Sequence, residues 1–246
     1  MPSEVKRKIT SGCVIEQEVY YIAPNRQRIA TAQPILRFKN EEERAAHRTE
    51  MSRRHHTRLF NSNFTPQSLY STLTFDNDHE VHTFDEARRV ATLFMRRLKD
   101  ANPDARIMLY MGRGKSTDRI HFHMVSNGLA REIITSKWKA GMITRIVSLR
   151  ANNKYDGIDH GPDYTGLANY LFDHWTPEQG GNRWRATRNL QQPEKQKSKR
   201  IKRKYSKEKP PRLDGYMLVE YKSKPTGYQY FKYVKIPEKP PPRKRQ

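Results

Sequence analysis

Apolar and polar positions alternate most clearly from Leu69 to Phe75 (LYSTLTF). This run is rich in Thr, Tyr and Leu and closed by Asp76-Asn77-Asp78, which predicts a strand followed by a turn. The period then changes. Thr83 and Glu86 have the spacing of a capping box, and Phe84, Ala87, Val90, Ala91, Phe94 and Leu98 recur every three or four residues. An amphipathic helix to about Asp100 follows, stopped by Asn102-Pro103-Asp104. Arg106 to Met111 (RIMLYM) and Arg119 to Ser126 (RIHFHMVS) flank a glycine-bearing turn at Gly112 to Gly114 and predict a hairpin. Leu129 to Ala140 predicts a second helix carrying Ile133, Ile134 and Trp138, capped by Gly141, and Ile143 to Leu149 a fourth strand. The order β-α-β-β-α-β predicts an α+β domain with a ferredoxin-like, RRM-like antiparallel sheet. One more helix, over Tyr164 to Trp175, places Leu167, Tyr170, Leu171 and His174 near one face.

Outside this block the patterns weaken. A strand-like patch from Cys13 to Ile22 is followed by basic sequence through Arg44, His47, Arg53, Arg54, His55 and His56, which reads as an N-terminal arm. Residues 191–212 hold ten Lys or Arg against Glu194 and Glu208, a net 10 − 2 = +8, the composition of a basic linker that is disordered when free. YMLVEYK (216–222) and YQYFKYVKI (228–236) flank Lys224-Pro225-Thr226-Gly227 and predict a tyrosine-rich hairpin before a Pro- and Arg-rich tail. The expected division is an arm at 1–58, a principal domain at 59–190, a linker at 191–215 and the hairpin with its tail at 216–246.

Charge narrows the function. The formal net charge is +22 and the sequence pI about 10.1, which points to a polyanionic partner. At 35 % hydrophobic residues and a mean hydropathy of −1.01 the chain has material for one core of ordinary size with polar extensions. No apolar run approaches the roughly 18 residues of a spanning helix, and the start lacks the apolar stretch of a secretory signal. The expectation is a soluble, unexported protein without a membrane partner. A single cysteine, Cys13, leaves no intrachain disulfide and no cysteine-based zinc site, so any metal sits on His and carboxylates.

The sharpest chemical feature is His121-Phe122-His123 in the third predicted strand. Period-two alternation puts both imidazoles on one face with Cα atoms roughly 6.5 to 7 Å apart, near enough to share a divalent ion, while Ile120, Phe122 and Met124 turn inward. The later helix is able to bring Tyr170 over the same face. A phenol with an ordinary pKa of about 10 is a poor nucleophile at neutral pH, but a divalent ion polarises a phosphodiester, so the expected product is a phosphotyrosine ester. Tyr164 and Tyr155 read as loop tyrosines and are the fallbacks. His174 lies four residues past Tyr170, placed either to favour the helix dipole or to orient or deprotonate the phenol. Arg183, Trp184, Arg185 and Arg188 interleave an aromatic with cations, a pattern that stacks a base while holding phosphates. Lys199, Arg200, Lys202 and Arg203 add cations for salt-sensitive DNA contact.

The order STLTF, HFH, LANYLFDHW, NRWRATRNLQQP resembles the replication-associated HUH endonucleases of small phages and mobile elements. FNSNF, SKWKAGM, GYMLVEY and GYQYFKYVKI extend the resemblance over nearly the whole chain. It implies a rolling-circle replication initiator in the cytoplasm of a bacterial host. A strand like Ser71 to Phe75 would support the site, His121 and His123 would bind Mg²⁺ or Mn²⁺, and Tyr170 would nick single-stranded origin DNA. The enzyme would stay on the 5′ end, leave a 3′ hydroxyl for a polymerase, and rejoin strands. Host helicase and polymerase are the implied further partners. Two positions depart from the family. Asp173 stands where a lysine three residues past the tyrosine is usual, with Arg183 or Arg185 the candidate to compensate. The third metal ligand, often Glu before the His pair, falls to Asp118, with His82, Asp76 or His174 as alternatives. The catalytic set is thus Tyr170 with Asp173 and His174, and the metal set His121, His123 and Asp118. Two other readings share the residues: a non-catalytic single-stranded nucleic-acid binder, and an HUH transposase or relaxase.

Overall fold

The computed structural model describes residues 3–22, 40–114, 117–155 and 157–236. Along them run β1 (Ser3–Ser11), β2 (Val14–Ile22), α1 (Glu41–Asn63), β3 (Leu69–Phe75), α2 (Phe84–Ala101), β4 (Arg106–Arg113), β5 (Ile120–Asn127), α3 (Arg131–Lys137) and β6 (Gly141–Ser148). There follow the two-residue pair β7 (Lys154–Tyr155) and β8 (Ile158–Asp159), then α4 (Thr165–Phe172) and β9 (Arg185–Ala186). Last come β10 (Glu194–Lys195), β11 (Lys199–Arg200), β12 (Tyr216–Ser223) and β13 (Gln229–Lys235). Every strand pairing among the described residues is antiparallel and the four α-helices lie between strands, so the protein is α+β. No described helix is long and apolar enough to cross a membrane. The Pro- and Arg-rich tail expected at 237–246 lies outside the described residues.

The chain forms two compact units, and α1 runs through the boundary between Ser52 and Arg53. Arg53–Ala151 with Tyr164–Gln192 builds a five-stranded sheet of order β6-β3-β5-β4-β9. Its four principal strands, counted as they occur in the chain, stand 4-1-3-2. Ile120, Phe122 and Met124 on β5, Ile107, Leu109 and Met111 on β4, and Leu69 and Leu73 on β3 share one core with Phe84, Ala87, Ala91, Phe94 and Leu98 of α2 and Ile134 of α3. The capping box at Thr83 and Glu86 opens α2 as its sequence predicts. α3 is shorter than expected. It ends at Lys137, and Gly141 opens β6 instead of capping the helix, at φ +145° and so close to β3 that a Cβ there would stand 2.3 Å from the Thr74 carbonyl oxygen.

The intervening residues of the same strands, Tyr70, Met108, Tyr110 and Val125, face a second core completed by Phe60 and Phe64 at the end of α1 and by Tyr164, Ala168 and Leu171 in and before α4. This face is where α4 is fixed. Asn61 Oδ1 accepts the Tyr164 backbone N–H at 2.9 Å, and its Nδ2 donates to Thr165 Oγ1 at 3.4 Å. Asn63 Nδ2 donates to the Gln191 carbonyl at 2.9 Å while its Oδ1 accepts the Gln191 N–H at 2.8 Å. Beneath them His56 is fully buried among Phe60, Tyr110, Phe172 and Trp184, with Nε2 2.7 Å from the Tyr110 hydroxyl.

The other unit gathers residues from Met1–Ser52, Asn152–Asp163 and Pro193–Gln246. Its sheet runs β10-β1-β2-β13-β12, with β11 also on β1, around Ile15, Val19, Phe231 and Tyr233. Lys232 and Asp163, both almost fully buried, pair at 2.8 Å. Two expectations change here. Where an N-terminal arm is expected at 1–58, the described residues form two full strands and most of a 23-residue helix, and 23–39 lie outside the described residues. Residues 191–215 are not a loose linker, because Glu194–Lys195 and Lys199–Arg200 lie in register along β1. The polar sequence of β1 hides its role, since Val5 and Ile9 are its only buried apolar side chains.

Burial lowers the pKa of His56 to about 3, with lesser contributions from His55 and Arg53. The folded protein therefore keeps this ring neutral, whereas the unfolded chain protonates it below about pH 6.5. Its stabilising contribution is full above pH 6.5 and is lost as pH falls from there toward 3. His56→Phe is expected to flatten the fall in urea-denaturation stability between about pH 6.5 and pH 4. The same acid slope in both proteins would remove His56 as its source.

Candidate metal centre

β5 lies between β3 and β4, pairing His123 with Thr72 and Tyr110 and His121 with Thr74 and Gly112. Because Ile120, Phe122 and Met124 enter the α2 core, His121 and His123 project from the opposite face, with their Nε2 atoms 3.1 Å apart. Glycine at 112 makes room for them. A Cβ there would stand 3.1 Å from both His121 Nε2 and His174 Cδ2.

The third imidazole comes from the turn after α4. His174 has its ring centre 4.6 Å from that of His123 and 6.3 Å from that of His121. One ring nitrogen from each of the three lies within 4.8 Å of the others, an arrangement that could hold a metal ion. Each outward nitrogen already has a partner. His174 Nδ1 donates to the Tyr170 carbonyl at 2.8 Å, and His121 Nδ1 faces the Arg119 carbonyl at 3.5 Å. His123 Nδ1 shares a hydrogen bond of 2.7 Å with the Tyr70 hydroxyl, with Thr72 Oγ1 at 3.4 Å. A carbonyl only accepts, so a ring nitrogen bonded to it carries a proton, and in the neutral ring the other nitrogen is the one with the lone pair. Such outer partners fix the tautomer and ring orientation of metal-binding histidines.

The electrostatics agree with this. Burial, then His121 and His174, lower the His123 pKa to about 3. Burial also lowers that of His121, opposed by its contact with the Arg119 carbonyl and assisted by His174. Both rings are therefore neutral at pH 7, the form that binds metal. Burial raises the Tyr70 pKa, which keeps its hydroxyl protonated.

Tyr170 stands beside the cluster. Ala168, Leu171 and Phe172 take the inward positions of α4 and leave Tyr170 52 % exposed, its ring centre 4.2 Å from His174 and 6.2 Å from His123. Arg113, His121, His123, Tyr170, Asp173 and His174 line an open cleft of about 690 Å³. Asp118 does not join the histidines. It sits in a tight turn at φ +54° with its side chain 84 % exposed and 3.3 Å from Arg113, and the group that could hold a metal ion contains His174 and not Asp118. Asp76 bonds to His79 at 2.7 Å, and neither it nor His82 belongs to the cluster. Tyr164 is buried, donating its hydroxyl to the Arg150 carbonyl at 3.1 Å.

The basic segments are more tightly held than their composition suggests. Trp184 packs against His56 and Phe172, at 4.6 and 6.0 Å between ring centres, and is partly buried against the core under α4. Arg185 lies in β9 and donates to the Arg88 carbonyl at 3.1 Å. Arg188, Lys199, Arg200, Lys202 and Arg203 are exposed. Two contributors escaped the sequence reading. Tyr70 had a detectable signal, because it shares a strand face with Thr72 next to the HFH strand. Arg53, which grips Asp173, had none, being one cation in a basic helix.

Comparison with family models, with curated proteins and with solved structures finds no match to this chain.

Calorimetric titration with Mn²⁺ is expected to find one site that His174→Ala removes and Asp118→Ala leaves intact. Tyr70→Phe, which deletes only the outer hydroxyl, is expected to weaken that site roughly 10- to 100-fold.

Proposed function

We propose that this protein is an HUH-type endonuclease that initiates rolling-circle replication by nicking single-stranded origin DNA through Tyr170. The observation that carries the reading is the convergence of three imidazoles beside a half-exposed tyrosine in an open cleft, on a strongly cationic chain. The strand order 4-1-3-2 supports assigning this unit to the ferredoxin-like, split β-α-β class.

Three imidazoles without a carboxylate are a softer donor set than Mg²⁺ prefers, so of the two expected ions Mn²⁺ fits His121, His123 and His174 better. When bound, such an ion supplies Lewis-acid stabilisation of the charge that develops on the phosphodiester. The residues of the chain do the remainder. α4 holds the Tyr170 hydroxyl on the open side of the cleft, where a strand without a complement has access. Tyr170 Oη forms a bond to phosphorus as the bond to the 3′-side oxygen breaks. The phenol proton ends on that oxygen, giving a free 3′ hydroxyl and a 5′-phosphotyrosine. His174, tied to the Tyr170 carbonyl, serves the ligand set and is not the base. The 3′ hydroxyl is the primer that links the protein to a host polymerase, and the 5′ adduct is what makes strand rejoining possible.

Asp173 and the absence of a glutamate before the His pair would favour a non-catalytic binder on the same fold. Asp173 is paired with Arg53, and His174 stands in for the carboxylate, so both grounds weaken. A transposase or relaxase would share the chemistry and differ in its substrate.

Incubation with labelled single-stranded fragments of the protein's own replicon and Mn²⁺ is expected to give an adduct that survives denaturing electrophoresis and maps to Tyr170. Tyr170→Phe should abolish the adduct while DNA binding persists, and His121→Ala with His123→Ala should remove metal-dependent cleavage. An adduct retained in Tyr170→Phe excludes this assignment.

A further inference from the structure

Asp173 brings a negative charge to within three residues of Tyr170, at the mouth of a cleft assigned to a polyanion. It is not an isolated charge. Arg53 reaches it from α1 and grips both carboxylate oxygens, Nη1 to Oδ2 at 2.9 Å and Nη2 to Oδ1 at 2.6 Å. This side-by-side fork is the strongest and most directional form of an arginine–carboxylate pair. The pair is not sealed off, since the Arg53 and Asp173 side chains are 29 % and 58 % exposed.

A second guanidinium sits on the same support. The Arg53 carbon Cζ is 4.6 Å from the ring centre of Phe172, and Arg183 Cζ is 4.5 Å from that ring and 4.2 Å from the ring of Trp175. Phe172 is fully buried in turn, against His56 and Trp184, so both cations rest on a rigid base. The two cations feel one another. The Arg183 pKa is lowered by desolvation and then by Arg53, with Asp173 opposing. Both guanidiniums thus lie over the Phe172 ring, within electrostatic reach of the Asp173 carboxylate, which lines the cleft with Tyr170. Holding like charges together costs free energy that a bound anion would offset. The planar forks of arginine match the oxygens of a phosphate.

We propose that Arg53 and Arg183 form a phosphate-binding pair for single-stranded DNA beside Tyr170, and that Asp173 is a positioning residue that orients Arg53 for it. The proposal rests on the function above for the identity of the strand. Asp173 thus answers for the absent lysine indirectly, through the arginine it holds. Removing the carboxylate takes away the fork that orients the Arg53 guanidinium, so the gain in net positive charge comes with the loss of an ordered donor.

The sign of one substitution tests this. Binding of a fluorescent 20-nucleotide single strand is measured in Tyr170→Phe protein with chelator present, over a range of salt, so that cleavage plays no part. Arg53→Gln and Arg183→Gln are each expected to flatten the plot of log affinity against log salt by about 0.7. Asp173→Asn is expected to weaken binding by roughly fivefold, although it makes the protein more positive, and to strengthen it when Arg53→Gln is already present. Arg53→Lys, which keeps the charge and loses the fork, substitutes for Arg53→Gln if that variant melts early, and is likewise expected to reverse the sign. Tighter binding by Asp173→Asn in the parent, or unchanged salt slopes in both arginine variants, overturns the proposal. The two levels fail separately. A Tyr170 adduct without sign reversal leaves the nuclease and removes the phosphate pair, whereas sign reversal without an adduct on any fragment does the opposite.

Discussion

Burial of Ile120, Phe122 and Met124 between the sheet and α2 determines which way β5 faces, and the geometry of the candidate metal centre follows from that. Side chains on a strand alternate, so a slip of one residue would carry His121 and His123 into the apolar core and Phe122 out to solvent. The central position of β5 adds precision. With β3 on one side and β4 on the other, its backbone is bonded along both edges, and Tyr70 and Thr72 of β3 arrive beside His123. Two of the three imidazoles of the candidate centre therefore stand on a rigid element, and only His174 depends on a turn.

The opposite face carries the second requirement, a helix that is fixed yet leaves one aromatic exposed. α4 has only eight residues and no side-chain cap at its start, and a helix of that length has little stability of its own. Its order comes from tertiary contacts: Ala168 and Leu171 in the second core, Asn61 on its first turn, and Phe172 over His56. Gln179 does the same for the turn that follows, its buried Nε2 donating to the carbonyls of Met111 and His174 at 3.2 and 3.0 Å. Tyr170 and His174 thus face the cleft because the residues between and after them are held down.

Charge is arranged on a larger scale in the other unit. The strongly basic stretch after Pro193 is laid along β1, where Lys199 stands opposite Lys6. Like charges directly across a ladder are unfavourable, so this pairing carries a cost. Lys6 rests over the Tyr205 ring at 5.4 Å, which offsets part of it.

The sequence by itself determined the elements whose periods are clean. β3, the capping box and apolar stripe of α2, the β4–β5 hairpin and the tyrosine-rich β12–β13 hairpin all stand where alternation or helical spacing placed them. It also determined that His121 and His123 share a face and that Tyr170 follows on a helix, because both statements need only local geometry. Only the tertiary structure decided the rest. β1 is a strand through pairing and not through pattern, α1 is long but weakly patterned, and the basic segment after Pro193 gains order from the edge it covers. The choice of His174 over Asp118 depends on how a turn after α4 folds back over Gly112, a contact between residues some sixty positions apart. Arg53 meeting Asp173 across 120 positions is likewise invisible to any period along the chain, since neither residue type nor spacing marks which cation will reach which carboxylate.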